Sequence, residues 1–434
     1  MGPSPPLLRS LGLLLFGLCC LLPPRAGWSD LALYNPLDRI HPVVARNGMV
    51  VTQEALASQV GVDILKRGGN AVDAAVAVGF ALAVTLPQAG NLGGGGFMLV
   101  HDAAQNRSEA LDFRETAPAA VGRDFYLNEN GEVDETRIRH RHQAAGVPGT
   151  VAGLVLAHAR HGRLPWRRLV EPAIGLAERG ILVSPELAQS LQEARERMAP
   201  WPASMKAFFK PDGAAYQPGD TLAQPDLAAS LKSIAEQGAK AFYEGDIARR
   251  LVADMQAHQG PITSDDLKNY RAVVREPVRG TYRGYDIVSM PPPSSGGVHL
   301  IQLLNILETW PLGELGANSA ATVHRMAEAM KLAYADRSEY LGDPDFIKVP
   351  VAGLTSKAYA KELAARIDPN RARPASEIKP GQPQRHESGQ TTHYSVADRD
   401  GNAVAVTYTL NFAYGSGIVA AGTGILLNNE MDDF

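Results

Sequence analysis

Cysteine is almost absent from this 434-residue chain, and its two cysteines, Cys19 and Cys20, both lie in an apolar run near the N-terminus. Once a leader containing that run is removed, the protein has neither a thiol nor a disulfide. Its stability then depends on its hydrophobic core. A chain of this length can bury a sizeable core, in one large domain or in two or three smaller ones.

An excess of charge of one sign is also absent, because 42 Lys and Arg residues against 46 Asp and Glu residues give a net charge of −4. Acidic and basic residues are interspersed along the chain. This balance argues against a nucleic-acid partner or a membrane-surface patch. It favours a small-molecule substrate.

The chain lacks an apolar run long enough to cross a bilayer comfortably. The run at residues 11–22 follows Arg9 and precedes small residues, which predicts a cleavable secretory signal over residues 1–27. A lipoprotein signal is the alternative, although the bulky Leu18 precedes Cys19 where a small residue is expected. The cleavable signal predicts a periplasmic or secreted protein without a membrane span in its mature part.

A phosphate-binding loop is missing as well. Residues 90–96 are rich in glycine, but no Lys-Ser/Thr follows them and no βαβ unit frames a dinucleotide fingerprint. We therefore expect a close-packed turn that leads into a strand at residues 97–101. His140 and His142 have arginine neighbours, whose positive charges disfavour a bound cation. The sequence thus predicts no cofactor and no metal.

The hydrophobic pattern predicts helices packed on a sheet. Residues 54–66 have helical periodicity and stop at two glycines. Residues 71–86 are apolar on all sides, and Asn70 with Asp73 resembles a capping arrangement, so this helix must be buried. Residues 154–256 read as several amphipathic helices that form a helical flank.

Two more helices are expected further along the chain, one starting near Val298 and one over residues 322–340. In the second helix, five residues give apolar positions at helical spacing: Val323, Met326, Met330, Ala333 and Tyr334. This apolar stripe predicts the packing side of a helix in an outer layer.

Residues 391–396 (TTHYSV) begin a predicted strand directly after a polar, turn-prone run. A threonine hydroxyl is a weak nucleophile without a base, and its own α-amino group supplies one once the preceding peptide bond is cut. Cleavage between Gln390 and Thr391 would create this arrangement. Because β-branched residues favour strands for packing reasons alone, a structural role is the alternative.

A β-hairpin is predicted around this threonine. Residues 391–397 and 403–410 flank the turn-forming run 398–402. Counting from a turn centred in that run pairs Thr391 with Thr409, so that their hydroxyls can touch. A slip of one residue would send one side chain to the other face of the sheet.

Several motifs of the chain resemble those of γ-glutamyltransferases (γ-glutamyl transpeptidases), which are N-terminal nucleophile hydrolases. The matching segments are residues 68–75, 93–98, 112–115, 147–150, 291–297, 391–396, 400–404 and 427–434. The resemblance implies an α/β fold, a four-layer α/β/β/α sandwich with extra flanking helices. It also implies two subunits from one precursor: a large-subunit region over residues 28–390, and a small subunit that starts with residues 391–434.

The resemblance also implies roles for single residues. Thr391 would be the nucleophile, and Thr409 would orient it by a hydrogen bond. Arg114, at the end of a strand predicted over residues 110–113, would hold the substrate's α-carboxylate, for which a guanidinium is well suited. The substrate's α-amino group would be held by Asn411, Glu430 and Asp433.

The implied reaction is cleavage of the γ-glutamyl amide of glutathione and related compounds through an acyl-threonine ester. Water, an amino acid or a peptide would then accept the γ-glutamyl group. His393 lies near Thr391 in sequence, but we do not cast it as the base because the α-amine already supplies one.

The sequence departs from the family pattern at its end. In γ-glutamyltransferases the small subunit continues past the Asp-Asp-Phe motif, and later Ser-Ser and Gly-Gly elements help to bind the carboxylate and form the oxyanion hole. The expectation is therefore a fragment of a functional enzyme, with a compromised enzyme as the alternative. Two other functions stay open: a related acylase of β-lactam side chains, and a non-catalytic exported binding protein.

Overall fold

The computed structural model describes residues 43–379 and 391–433, except for the side chain of Thr391. The predicted signal at residues 1–27, the cleavage-site residue Gln390 and the terminal Phe434 lie outside the described residues. The elements below all belong to one compact unit, Arg46–Phe434.

The strands are β1 Gly48–Val51, β2 Gly95–Asp102, β3 Arg107–Phe113, β4 Ile181–Leu182, β5 Thr221–Leu222, β6 Val273–Arg275, β7 Val278–Tyr282, β8 Tyr285–Ser289, β9 Thr391–Asp398, β10 Ala403–Thr409, β11 Val419–Ala420 and β12 Ile425–Leu426. The α-helices are α1 Ala55–Lys66, α2 Ala71–Thr85, α3 Glu135–His140, α4 Thr150–His161, α5 Trp166–Arg179, α6 Pro185–Met198, α7 Pro202–Phe208, α8 Pro225–Gln237, α9 Ala239–Tyr243, α10 Asp246–Ala257, α11 Ser264–Asn269, α12 Gly296–Leu307, α13 Leu312–Leu315, α14 Ala320–Tyr340, α15 Val351–Leu354 and α16 Lys357–Ala365. Short 3₁₀ turns cover His142–Ala144, Ala375–Glu377 and Glu430–Asp433.

A six-stranded antiparallel sheet, in the order β1-β9-β10-β2-β3-β6, organises the fold. The hairpin β9–β10 lies inside the sheet, between β1 and β2. Its register places Thr391 directly opposite Thr409, which confirms the predicted pairing. Asp398 anchors the turn, because its Oδ1 accepts hydrogen bonds from the backbone N–H groups of Asp400 and Asn402. The turn chemistry therefore sets the register of the whole hairpin.

Helix α2 covers one face of the sheet, and every one of its residues is buried, as predicted. The predicted capping box is present: the side chains of Asn70 and Asp73 each accept a hydrogen bond from the other's backbone N–H. Tyr394 and Tyr408 point from the sheet into this helix and donate hydrogen bonds to the carbonyls of Ala75 and Gly79. The strands that carry the site are thus tied to an apolar helix that the sequence alone could identify.

The predicted mixed α/β fold is confirmed. Helices α4 to α11 form the expected helical flank, and most of their buried residues join those of α2, β9 and β10 in one hydrophobic cluster. Among residues 43–379 and 391–433, the strands outside the main sheet form only the pairs β4–β5, β7–β8 and β11–β12. No helix in these ranges is long and apolar enough to cross a membrane.

Helix α14 corrects one prediction. Val323, Met326 and Met330, predicted to pack, are 54%, 43% and 42% exposed, whereas Ala333 of the same predicted stripe is buried. The buried face instead includes Glu328 and Asp336. The sequence pattern failed here because the buried face carries charged residues whose partners come from distant segments.

One oxygen of each buried carboxylate of α14 has polar partners. Glu328 forms an ion pair with Lys331 of the same helix and accepts a hydrogen bond from the backbone N–H of the distant Arg373. Asp336 accepts hydrogen bonds from Gln302 of α12 and Tyr359 of α16. A search for apolar periodicity cannot recognise such a face, because buried carboxylates are tolerated only once their partners are in place.

Candidate active site

The candidate site begins where β9 and β10 meet the glycine-rich loop before β2. Thr391 is the first residue of β9 and Thr409 is the last residue of β10. The buried Thr409 accepts a hydrogen bond on its Oγ1 from the backbone N–H of Asn411, at 2.9 Å. Its carbonyl accepts another from the Asn91 side chain. The end of β10 is therefore held rigidly opposite the start of β9.

The glycine-rich loop is a close-packed turn, as predicted. A Cβ atom at Gly94 would collide with the carbonyl oxygen of Thr409 and come within 2.8 Å of Asn91 Oδ1. The Gly94 carbonyl accepts hydrogen bonds from the backbone N–H groups of Gly149 and Thr150 at the start of α4. Glycine is thus required here for close backbone approach, and no phosphate-binding role is needed to explain it.

Asn411 makes the turn that leaves the sheet. It is fully buried and has a left-handed backbone with φ +73°, a conformation that asparagine tolerates better than most residues. Its side-chain amide donates to the carbonyl of Asn429 at 2.9 Å. This bond links the threonine end of the site to the acidic turn Glu430–Asp433.

Arg114 follows β3 and meets that acidic turn. Its guanidinium forms ion pairs with Glu430 and with Asp433, the latter at 3.0 Å. Tyr270 fixes the backbone at this point by donating a hydrogen bond to the Arg114 carbonyl. The structure therefore brings together three residues that the sequence singled out from two distant segments.

The Glu430 carboxyl is fully buried. Burial raises the pKa of Glu430 to about 7, while the positive charge of Arg114 acts in the opposite direction. The carboxylate form, which can hold an ammonium group, therefore increases as the pH rises through about 7.

Asn428 is a site-building residue that the sequence analysis missed. Its side-chain amide donates to the carbonyls of Gly93 and Gly146, and its Oδ1 accepts from the backbone N–H groups of Gly146 and Glu430. One buried amide thus connects the glycine-rich loop, the segment before α4 and the acidic turn. Its position within the matching segment 427–434 was the only available signal.

Glu115 is a second residue without an assigned role in the sequence analysis. It is 2% exposed and lies next to Arg114. Burial raises the pKa of Glu115 well above its ordinary value, and the charge of Glu430 raises it further.

A cavity of about 440 Å³ opens at this end of the sheet. Its lining includes Arg114, Glu115, Tyr270, Arg271 and Asp433. This volume lies within the usual range for pockets that hold small molecules.

His393 lies apart from these groups. Its two ring nitrogens lie 2.8 Å from Thr407 Oγ1 and 3.2 Å from Ser395 Oγ. Burial lowers the pKa of the His393 imidazole. These contacts are consistent with a structural histidine, and its exclusion as the base stays a prediction.

His142 and Asp254, both buried, form a cluster with the exposed His258 that the sequence could not foresee. The Nε2 of His142 lies 3.0 Å from Asp254 Oδ2, and the His142 ring stacks on that of His258 at 4.2 Å. Within the described ranges these three residues are the group whose potential metal-ligating atoms lie within 4.8 Å of one another. His142 Nε2 and His258 Nδ1 both already face oxygens of Asp254, so hydrogen bonding accounts for the cluster.

Asp254→Ala is expected to lower the free energy of unfolding by about 1–3 kcal/mol, because the buried His142 nitrogen loses its partner. Urea unfolding monitored by circular dichroism measures the change. Asp246→Ala is the matched control, since Asp246 lies on the same helix but is exposed and pairs with Arg250. A loss no larger than that of the control would contradict the role given to Asp254.

The mixed α/β fold, with helices packed against an antiparallel sheet, is that of the N-terminal nucleophile hydrolases, and the solved structures that match it define this class for the protein. The gamma-glutamyltranspeptidase family model matches residues 57–434. The chain belongs to the γ-glutamyltranspeptidase family, an enzyme family.

Individual relatives agree with this assignment. The chain is 56% identical over 397 residues to a glutathione hydrolase proenzyme from Escherichia coli. The matched region covers 92% of this chain and 68% of that protein. The crystal structure of Helicobacter pylori gamma-glutamyltranspeptidase matches with a TM-score of 0.77 and 47% identity, over 80% of this chain and 100% of that one. A cephalosporin acylase from Bacillus halodurans matches with a TM-score of 0.79 and 31% identity, over 93% and 74% of the two chains.

Proposed function

We propose that the chain is the precursor of a γ-glutamyltransferase that cuts itself between Gln390 and Thr391. The large subunit would then come from residues 28–390, and the small subunit would start at Thr391. Two observations support this proposal: Thr391 is the first residue of the central strand β9, and close relatives are proenzymes. The apolar N-terminal run supports export to the periplasm or secretion, with residues 1–27 removed.

After cleavage, the α-amine of Thr391 accepts the proton of its own hydroxyl, directly or through one water. The oxygen attacks the γ-amide carbon of a γ-glutamyl compound such as glutathione. The amine leaves with that proton, and an ester between the γ-glutamyl group and Thr391 remains. Water then releases glutamate, or the amino group of an amino acid or peptide takes the γ-glutamyl group. Thr409 orients the nucleophile.

The cluster of Arg114, Glu430 and Asp433 is the observation that carries the choice of substrate. A γ-glutamyl group presents an α-carboxylate and an α-ammonium side by side. Arg114 suits the carboxylate, and the two acids with Asn411 suit the ammonium. The residues that now pair with one another would each pair with the substrate. Because this recognition involves only the glutamyl end, leaving groups of many kinds are tolerated.

The acylase alternative rests on the similarity to the cephalosporin acylase, a relative in the same class, whereas the pairing of Arg114 with Asp433 argues against it. The two functions differ in what they require of the substrate. An acylase of β-lactam side chains has no need of an α-ammonium group, whereas a γ-glutamyltransferase binds one. Amide substrates with and without that group therefore separate the two functions.

A γ-glutamyl anilide is expected to be turned over with a kcat/KM about 100-fold above that of the glutaryl anilide, which lacks only the α-amino group. Release of the chromogenic aniline measures both rates. Asp433→Asn should reduce the ratio between the kcat/KM values of the two anilides. Asp432→Asn, which removes the neighbouring carboxylate that pairs with Arg139, is the matched control.

The possible outcomes separate the three functions. Preference for the glutaryl substrate would favour the acylase. If the processed protein turned over neither substrate but bound γ-glutamyl compounds, it would be the exported binding protein.

A further inference from the structure

Glu115 is a buried acid that follows Arg114, the arginine proposed to bind the substrate, in the sequence. Neither of its carboxyl oxygens accepts a hydrogen bond from another described residue. The side chain packs against glycine backbone on two sides, because a Cβ at Gly95 would collide with its Oε2 and a Cβ at Gly146 would lie 3.0 Å from its Cβ. These close contacts hold the side chain in place at the wall of the cavity.

The groups that face Glu115 come from four segments. Arg114 attracts its negative charge, while Glu430 and Asp433 repel it. Tyr243 and Tyr270 also lie within electrostatic range, and their hydroxyls donate to the carbonyls of Pro148 and Arg114. One guanidinium thus serves three carboxyl groups, of which those of Glu115 and Glu430 are buried and that of Asp433 is exposed.

A proton on one of the three carboxyl groups reduces the excess of negative charge in the cluster. With three ionised acids and one guanidinium the cluster would carry a net charge of −2, and with one acid neutral it carries −1. Glu115 is the acid best suited to hold the proton, because Glu430 and Asp433 both pair with Arg114 and Glu115 does not. Its buried carboxyl accepts no hydrogen bond from another described residue that would stabilise a negative charge.

We propose that Glu115 holds this proton and acts as a positioning residue, whose neutral form leaves Arg114 free to bind the α-carboxylate of the substrate. Ionisation of Glu115 at alkaline pH would draw the guanidinium towards a permanently buried carboxylate. The affinity for the γ-glutamyl group would then fall, while the chemical step at Thr391 would be unaffected. The proposal rests on the γ-glutamyltransferase function.

The test measures kcat and KM for a γ-glutamyl anilide from neutral to alkaline pH, in the parent protein and in Glu115→Gln. Glutamine keeps the shape of the neutral acid but cannot ionise. It is expected to remove a rise in KM of roughly tenfold that the parent shows at alkaline pH. Titration of the substrate's own amine is the same in both proteins and cancels in the comparison.

Glu109→Gln is the matched control, because Glu109 is a mostly buried glutamate on β3 that pairs with Arg160 and not with Arg114. Its KM profile should follow that of the parent. The same profile in the parent and in Glu115→Gln would overturn the proposal. So would a KM raised more than about tenfold at pH 7 in Glu115→Gln, since that result would mean that the ionised carboxylate is required.

Infrared spectroscopy provides a second measurement that needs no turnover. The carbonyl band of a protonated carboxyl is expected in the parent at pH 8 and should be missing from Glu115→Gln. Without such a band in the parent, the proposal fails even if Glu115→Gln cannot be purified. If the band is present but no γ-glutamyl amide is turned over, the proposed function fails while the assignment of the proton stands.

Discussion

Thr391→Ala is expected to leave a single uncut chain and to lower the turnover of γ-glutamyl amides by at least about 10⁴-fold. The methyl side chain can neither attack the preceding peptide bond nor form the acyl ester. Intact mass after prolonged incubation measures processing, and release of a chromogenic aniline measures turnover. The parent should give two pieces that meet at Gln390/Thr391.

Thr391→Ser is the matched control for this experiment. Serine keeps the hydroxyl but loses the methyl group that favours the strand, so we expect processing that is slower but complete. Cleavage of the alanine variant at the same bond would contradict the nucleophile assignment. A serine variant that stays uncut would instead show that the methyl group is needed to hold the hydroxyl in position.

Arg114→Lys is expected to raise the KM for a γ-glutamyl substrate about 100-fold, with a much smaller change in kcat. Lysine keeps the positive charge that faces Glu430 and Asp433. It loses the planar, two-point contact with a carboxylate, and a lost charge-assisted hydrogen bond is worth about 1.5–3 kcal/mol. Steady-state kinetics over a wide substrate range separate the two constants.

Arg139→Lys provides the comparison for Arg114→Lys. Arg139 also pairs with an acid of the same turn, Asp432, but the structure does not bring it to Glu430 or Asp433. Its replacement should change KM only slightly. If both variants raised KM equally, the effect would come from the acidic turn as a whole and not from contact between Arg114 and the substrate.

Much of the fold followed from local patterns. The capping box at Asn70, the fully apolar helix α2 and the turn at Asp398 all depend on residues close together in sequence. For the same reason the register that pairs Thr391 with Thr409 was predictable. Patterns of this kind are readable because the interacting groups lie a few residues apart.

The sequence predicted the residues of the candidate site only one at a time, through the resemblance to γ-glutamyltransferases. Arg114 and Asp433 are 319 positions apart, and no periodicity links them. The roles of Asn428 and Glu115 depend on which backbone groups and charges surround them after folding. In helix α14 the apolar pattern misled in part, because Val323, Met326 and Met330 are exposed while the buried face carries Glu328 and Asp336.

By itself, then, the sequence determined the helices, the hairpin, its register and the family, since short-range hydrogen bonds and hydrophobic periodicity act within single segments. Only the tertiary structure decided which charges share one site and which acid is buried without a hydrogen-bond partner. The physical reason is that desolvation and Coulomb interactions depend on distances in space between segments that are far apart in the chain.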